Sequence, residues 1–495
     1  MSVFLPAKRD CPALLILFLW LCPTTFVRAE EQAHTEWQVM VIDGQRVGYG
    51  TTEFRRRGQV WFGKQTAKMK FQRYGEPIDL ETELRTEELA DGTLRSFRIE
   101  IRNRPHNPTV SEGTITGTRL DLKTSVNGRI SRKQINVRPN LKSPLWQERL
   151  FLQKRIKPGL VLSFDSWAPE LSKPNVLRYR VDGERGTEMF DGSRKRLFKV
   201  HVENSVAPTL RVRGYVDRQG RWLKSETEMF GKTLETYTVS ETEALKEIAG
   251  AELDLALANV IIVKGLRDPH KLHEVTYRIH LEEGNPADYF PEGPQQSVQA
   301  VDANTILLTV RRIGLPPRST VSRKPDARYL KATQFLQAND YEITRLARRA
   351  TAGVTDPGQQ ALNMERTVFE KVRDKNFSSA MASAAEVAKH MEGDCTEHAM
   401  LLAAMLRAGR LPSRVCSGFV YANSIGGFTG HMWTEVWVRD RWYPLDATLG
   451  MGGVGAGHLK ISDSAVDEDA PAPIVSFLPM MELLGQMTIE VERQR

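Results

Sequence analysis

Cys395, His431 and Asp446 have the types and the order that nucleophilic acyl chemistry needs. A thiolate attacks a carbonyl carbon well, but an ordinary thiol is mostly protonated at neutral pH, so it needs a setting that lowers its pKa and a base beside it. The run Glu392-Gly393-Asp394-Cys395-Thr396-Glu397-His398 offers the setting. Gly393 permits an unusual backbone angle, and Asp394 can cap a helix. Ala399, Leu402, Ala403 and Leu406 then follow Cys395 at i+4, i+7, i+8 and i+11, the stripe of an amphipathic helix, with Gly409 placed as a C-terminal cap. The spacing predicts a helix that begins at Cys395. A thiol there faces unpaired N–H groups and the positive end of the helix dipole. Both favour thiolate, and the same N–H groups can steady an oxyanion.

The partner groups lie on a predicted hairpin. Gly430 to Val438 reads as a strand with His431 at its start, and Trp442 to Asp446 as the next, after a turn at Arg439-Asp440. If Val438 pairs with Arg441 across that turn, Asp446 falls opposite Trp433. Trp433 is two residues from His431 and shares its face, so His431 and Asp446 become diagonal neighbours, close enough for a carboxylate to orient an imidazole.

Three blocks, Gly393-Asp394-Cys395-Thr396-Glu397-His398-Ala399, His431-Met432-Trp433-Thr434-Glu435-Val436 and Trp442-Tyr443-Pro444-Leu445-Asp446-Ala447-Thr448, resemble the transglutaminase-like superfamily in order and spacing. The similarity spans roughly residues 326–495. It implies a papain-like α+β core, with Cys395 as nucleophile, His431 as base and acid, and Asp446 orienting the histidine. The sequence departs from the animal transglutaminases in two ways. No Trp lies between Trp222 and Cys395 to help hold an oxyanion, which leaves Asn376 or Phe377 as candidates for a neighbouring wall. No calcium loop is present either; the acidic stretch Asp463 to Asp469 reads as a solvated loop. The reading calls for no cofactor and no metal. A zinc site built from Cys395, His398, His431 and Cys416 is the competing use of these residues, but the spacing of His398 and Cys416 is not that of a ligand pair. Cys416 reads as a small core residue in a strand from Val415 to Tyr421. His398, one turn past Cys395, reads as a capping or packing group, and Glu397 and Glu435 as solvated or structural ion pairs, with contact to substrate amines or basic residues as the alternative.

Around these residues the chain must supply a scaffold, and 495 residues are enough for about three domains. Lys8 and Arg9 precede an unbroken apolar run from Ala13 to Cys22, and Val27-Arg28-Ala29 offers small residues for cleavage. The run is about half of the ~20 residues a membrane span needs, so residues 1–29 read as a signal peptide. Cys11 and Cys22 would leave with it. Cys395 and Cys416 are then too few for a disulfide framework and better suited to one useful thiol. The formal charge is +8; Lys8, Arg9, Arg28 and Asp10 account for a net +2, so the mature chain would carry +6. Arg55-Arg56-Arg57 is the sharpest basic cluster, a solvated strand face or a contact to an anionic surface. No nucleic-acid motif accompanies it.

Residues 30–245 read as an antiparallel β-domain, a twisted sheet or open barrel. Phe97, Ile99 and Ile101 alternate with charged residues, and turns are expected at Asp43-Gly44, Asp91-Gly92, Asn127-Gly128, Asp182-Gly183 and Asp191-Gly192. His106 and His201 stand alone in it. Residues 246–325 read as a small β-domain and linker, and residues 326–495 as the catalytic domain, with a helix starting at Thr355-Asp356-Pro357. The fold class expected is α+β, a papain-like transglutaminase core preceded by antiparallel β-domains. The expected function is an exported cysteine enzyme, periplasmic or secreted, that acts on a protein or peptide substrate. Cleavage is favoured over cross-linking, which the triad alone does not decide. The competing class is a non-enzymatic envelope scaffold carrying a degenerate domain.

Overall fold

The computed structural model describes residues 34–495 apart from 74–75, 104–107, 127–128, 209, 230–231, 249–252, 255–259, 316–324, 374–381 and 468–477. The proposed signal segment, His106, Asn127-Gly128, Asn376 and Phe377 lie outside the described residues. The described residues divide into two compact units, one within 34–72 and 77–253, the other within 73–76 and 254–495.

The first unit is one antiparallel sheet. Its strands are β1 (His34–Ile42), β2 (Gln45–Arg57), β3 (Val60–Arg73), β4 (Glu76–Leu89), β5 (Leu94–Asn103), β6 (Thr109–Thr116), β7 (Arg119–Val126) and β8 (Arg129–Asn136), then β9 (Val161–Ala168), β10 (Lys173–Glu188), β11 (Arg194–Asn204), β12 (Val212–Val216), β13 (Trp222–Met229) and β14 (Lys232–Val239). Both runs are meanders, and β1 joins them by pairing with β2 and β14. Alternation builds the core: Leu177, Tyr179 and Val181 of β10 are buried while Arg178 and Arg180 face water. Helix α1 (Trp146–Leu152) adds Phe151, whose ring meets Trp222 edge-on at 4.9 Å.

Asp43 and Gly44 take φ of 50° and 75°, as a two-residue hairpin requires. Asp182-Gly183 is not the expected turn. It lies within β10, where the register against β11 shifts between Val181 and Glu184, so the Asp-Gly pair relieves a bulge. His201 does not stand alone, since its Nε2 lies 2.7 Å from Asp182. Arg55, Arg56 and Arg57 end β2 on an exposed stretch, and Arg55 pairs with Glu53. A cavity of about 750 Å³ in this unit is lined by Arg55, Arg57, Lys64, Arg85 and Arg98 against three glutamates.

After a short helix α2 (Glu241–Ala244), the second unit holds β15 (Ile261–Ile262), β16 (Glu274–Leu281), β17 (Gln296–Ala300) and β18 (Thr305–Arg311). Helices α3 (Tyr341–Ala350), α4 (Pro357–Lys371), α5 (Ala384–His390) and α6 (Cys395–Ala408) follow. Then come β19 (Ser413–Ala422), β20 (Gly427–Val438), β21 (Arg441–Leu445), β22 (His458–Ser464), α7 (Leu478–Leu483) and β23 (Met487–Gln494). The expected small domain over 246–325 is not separate. Strand β15 pairs with β20, and β16 lies between β18 and β23, so the segment is hydrogen-bonded into the same unit as the C-terminal residues. Among the described residues strand makes up 50% and helix 17%, so mostly antiparallel β, with a transglutaminase-like domain toward the C-terminus, describes the chain better than α+β alone.

Helix α6 is the centre of the second unit. The expected apolar stripe understates it, because Met400, Leu401, Ala404 and Met405 are as buried as Ala399 and Leu402. Helices α3, α4 and α5 cover one side, and β19 and β20 the other. From Ala399 to Leu406 the helix is apolar all round, as a helix inside a core is.

Candidate active site

Cys395 is the first residue of α6 and is fully buried. The Asp394 carboxylate accepts the Thr396 N–H at 2.8 Å, and Glu397 closes a capping box by accepting the Asp394 N–H at 3.0 Å. The other Glu397 oxygen accepts the Ala382 N–H at 2.9 Å. Burial, then the nearby Asp394 charge, pushes the Glu397 carboxyl well above the usual range. Glu397 is therefore a cap rather than an ion-pair partner. Gly393 has φ 145°, and a Cβ there would fall 2.2 Å from the Glu397 Cβ, so both the turn and the cap need glycine. His398 turns Nδ1 to the Asp394 carbonyl at 2.6 Å and Nε2 to that of Val372 at 3.2 Å, a packing role.

The hairpin has the register that the sequence suggests. Val438 pairs with Arg441, Trp437 with Trp442 and Thr434 with Leu445. Arg439 and Asp440 form the two-residue turn at φ 54° and 66°. Strand β20 begins at Gly427, so His431 sits within it rather than at its start. Asp446, one residue past β21, accepts from His431 Nε2 through Oδ2 at 2.8 Å. Thr434 fixes β20 to α6 by donating to the Ala399 carbonyl at 2.9 Å. A buried His–Asp pair thus stands on the strand that packs against the helix headed by Cys395.

Two groups that the sequence reading does not single out complete the surroundings of Asp446. His458 Nε2 lies 2.9 Å from the same Oδ2, while Oδ1 accepts the Thr448 N–H at 2.8 Å. Glu365 of α4 accepts the Asp446 N–H at 3.1 Å. Burial raises the Asp446 carboxyl, but the two histidines outweigh it and hold it well below the usual carboxylate range. Burial lowers His458 to about 4 against the pull of Asp446. Burial and the Asp446 charge raise Glu365 to about 8. Trp433 lies nearly parallel to the His431 ring and edge-on to His458.

Among the described residues, one group of three metal-capable side chains comes together: His431, Asp446 and His458, with donor atoms within 4.8 Å of one another. Direct N–H···O bonds occupy those atoms. The Cys395, His398, His431 and Cys416 set does not assemble. Cys416 packs with Trp433 and Val454, and burial and then the Glu435 charge push its thiol well up. Glu435 is an ion-pair partner, held by Arg414 and by Lys460.

The family model of the transglutaminase-like superfamily matches residues 344–447, which include Cys395, His431 and Asp446. This part of the chain is a transglutaminase-like core. His458 lies beyond the matched residues of that core, and so do β15–β18 and β23. Among solved structures, a candidate cysteine protease from Cytophaga hutchinsonii is 15% identical, overlapping 40% of this chain and 83% of its own at a TM-score of 0.28. The periplasmic domain of TgpA from Pseudomonas aeruginosa, bound to ethylmercury, is 13% identical, over 37% of this chain and 92% of its own, at 0.24. A β-barrel-like protein of a domain of unknown function from Brucella abortus is 11% identical, over 43% of this chain and 98% of its own, at 0.33. No curated protein matches the chain. Among the described residues, no helix is long and apolar enough to cross a membrane.

Proposed function

We propose that the transglutaminase-like core is a papain-like cysteine enzyme that cleaves or transfers the acyl group of a peptide or glutamine-type amide. The observation that carries this reading is the buried His431–Asp446 pair at 2.8 Å, on a strand bonded to the helix that Cys395 heads. In the proposed reaction the Cys395 thiolate attacks the amide carbonyl, and the C–N bond breaks as His431 gives its proton to the leaving amine or ammonia. A Cys395 thioester remains. Water or a primary amine then attacks it, His431 takes the proton of the attacking group, and the thiolate leaves. Asp446 holds the ring and stabilises the imidazolium. Hydrolysis, and so a peptidase or amidase, is the favoured outcome.

The test is a peptide library read by mass spectrometry, with and without an added primary amine, alongside the rate of Cys395 alkylation. Cys395→Ala should abolish turnover. His431→Ala should cost ~10²–10⁴-fold, the range for general acid–base groups, and slow alkylation. Asp446→Ala should cost less, because it orients and bonds to no substrate atom. Cys416→Ser should stay near wild type. Turnover that survives Cys395→Ala, or a thiol indifferent to His431, would return the domain to a scaffold role.

Export is part of the same proposal, placing the enzyme in the periplasm or outside the cell. The charged start, the short apolar run Ala13 to Cys22 and Val27-Arg28-Ala29 support it. Sequencing the native protein should find a start near Glu30; an intact Met1 or Ser2 would refute cleavage. The first unit would then guide substrate or location, with the exposed Arg55-Arg56-Arg57 stretch as the proposed contact to an anionic envelope surface.

A further inference from the structure

We infer that His458 is a positioning residue for His431, acting through Asp446. The inference rests on the cysteine-enzyme reading above and adds a member that lies outside the family-matched residues.

The geometry is specific. Two imidazole nitrogens converge on one oxygen, Asp446 Oδ2, at 2.8 Å from His431 and 2.9 Å from His458. All three side chains are at most 1% exposed, so water does not compete for that oxygen. With Thr448 on Oδ1, three donors fix the plane of the carboxylate. An Asp bonded to His431 alone could turn about its own side-chain torsions and carry the ring with it.

His458 is itself held firmly. It heads β22, and its ring meets His270 at 5.3 Å and Trp433 at 5.3 Å, both edge-on. The His270 ring is fixed in turn through Nε2 to the Tyr421 carbonyl at 2.7 Å. His458 Nε2 faces a carboxylate while its Nδ1 meets no polar partner among the described residues, so the proton belongs on Nε2 and the ring is a neutral donor. The low value of about 4 agrees with a neutral ring. Glu365, which accepts the Asp446 N–H, and His270 are also titratable and lie close to this set.

A donor shared in this way has two effects. It keeps Asp446 oriented, and it spends part of the carboxylate's basicity that His431 would otherwise receive. Removing it should therefore raise the His431 titration and lower turnover, two changes that loss of packing alone does not link.

The experiment compares His458→Phe, which fills the space without a donor, with His458→Gln, whose amide N–H can replace Nε2–H. The full chain carries ¹³C at the histidine Cε1 atoms and Cys395→Ala for the titration, with a chelator present throughout. His458→Phe should move the His431 titration up by about half a pH unit or more. With Cys395 intact it should lower kcat by about 10–100-fold at a nearly constant KM. His458→Gln should bring both back toward wild type at a similar melting temperature. A His431 titration unmoved in His458→Phe overturns the proposal, as do equal losses in both variants that track their melting temperatures. If the titration moves while even the wild type turns over no substrate, the coupling stands and the enzyme reading falls.

Discussion

Burial alone would push the Asp446 carboxyl up, yet His431 and His458 hold it well below the usual range, so an anion is kept at the bottom of the site. Its neighbour Glu365 bears the cost. Glu365 offers an acceptor to the Asp446 N–H at 3.1 Å and to Gly453 N–H at 3.4 Å, and burial with the Asp446 charge raises it to about 8. In the unfolded chain a glutamate ionises near ~4.3. Between these values the folded protein keeps a proton that the unfolded chain has released. Stability therefore falls as pH rises from ~4.3 to about 8. Glu365→Gln keeps the acceptor and removes the titration. Urea unfolding at a series of pH values should find the variant more stable than wild type at pH 8, with the difference gone below about pH 4. An unchanged pH slope would show that Glu365 is not held neutral. The helix that Cys395 heads and the His431–Asp446 pair were legible because residue type and hairpin arithmetic suffice for them. Glu365 and His458 were not, since Glu365 reaches Asp446 from the distant helix α4, and His458 from a strand that pairs with β19 and not with the hairpin.

At the scale of elements, local signals were read well and long-range pairings were not. Asp394 before Cys395 marks the start of α6, and Asp356-Pro357 that of α4; in each the aspartate caps the helix. The hairpin register followed from a two-residue turn. Arg439 and Asp440 accept positive φ there without glycine, and the Arg439 guanidinium reaches Asp356 with both contacts near 3 Å. What alternation cannot reveal is the bulge between Ser417 and Gly418, where β19 meets β22. A Cβ on Gly418 would fall 2.0 Å from the Leu459 carbonyl, so the glycine lets β22 approach closely just beyond His458. The shift in register decides where His458 points, and no pattern within β22 announces it. Burial of α6 on every side was hidden for a related reason. Its alanines and methionines read as neutral filler until helices and sheet enclose them.

At the scale of the whole molecule, the second unit is stitched together from segments on either side of the family-matched core. Strands β16 and β18 precede it, and β23 follows it from near the C-terminus. Tyr277 of β16 packs edge-on against Phe428 of β20 and donates to the Ala456 carbonyl at 2.8 Å. Gln296 of β17 exchanges hydrogen bonds with the Lys460 backbone of β22. A fragment of residues 326–495, the domain suggested by sequence, would lack Val275, Tyr277, Ile279, Leu281, Ile306, Leu308 and Val310, all fully buried. Burying such a side chain is worth about 1.5–3 kcal/mol. Seven of them rival the whole stability of an ordinary domain, ~5–15 kcal/mol. Strand β23 would also lose its partner β16, and Arg495 its place on Glu274. A fragment of residues 254–495 keeps all of these contacts. It should unfold in one cooperative thermal transition by circular dichroism and retain alkylation of Cys395 dependent on His431. The 326–495 fragment should show no cooperative transition. If the shorter fragment melts as sharply and at the same temperature as the longer one, the flanking sheet is an accessory and not part of the fold that positions the site.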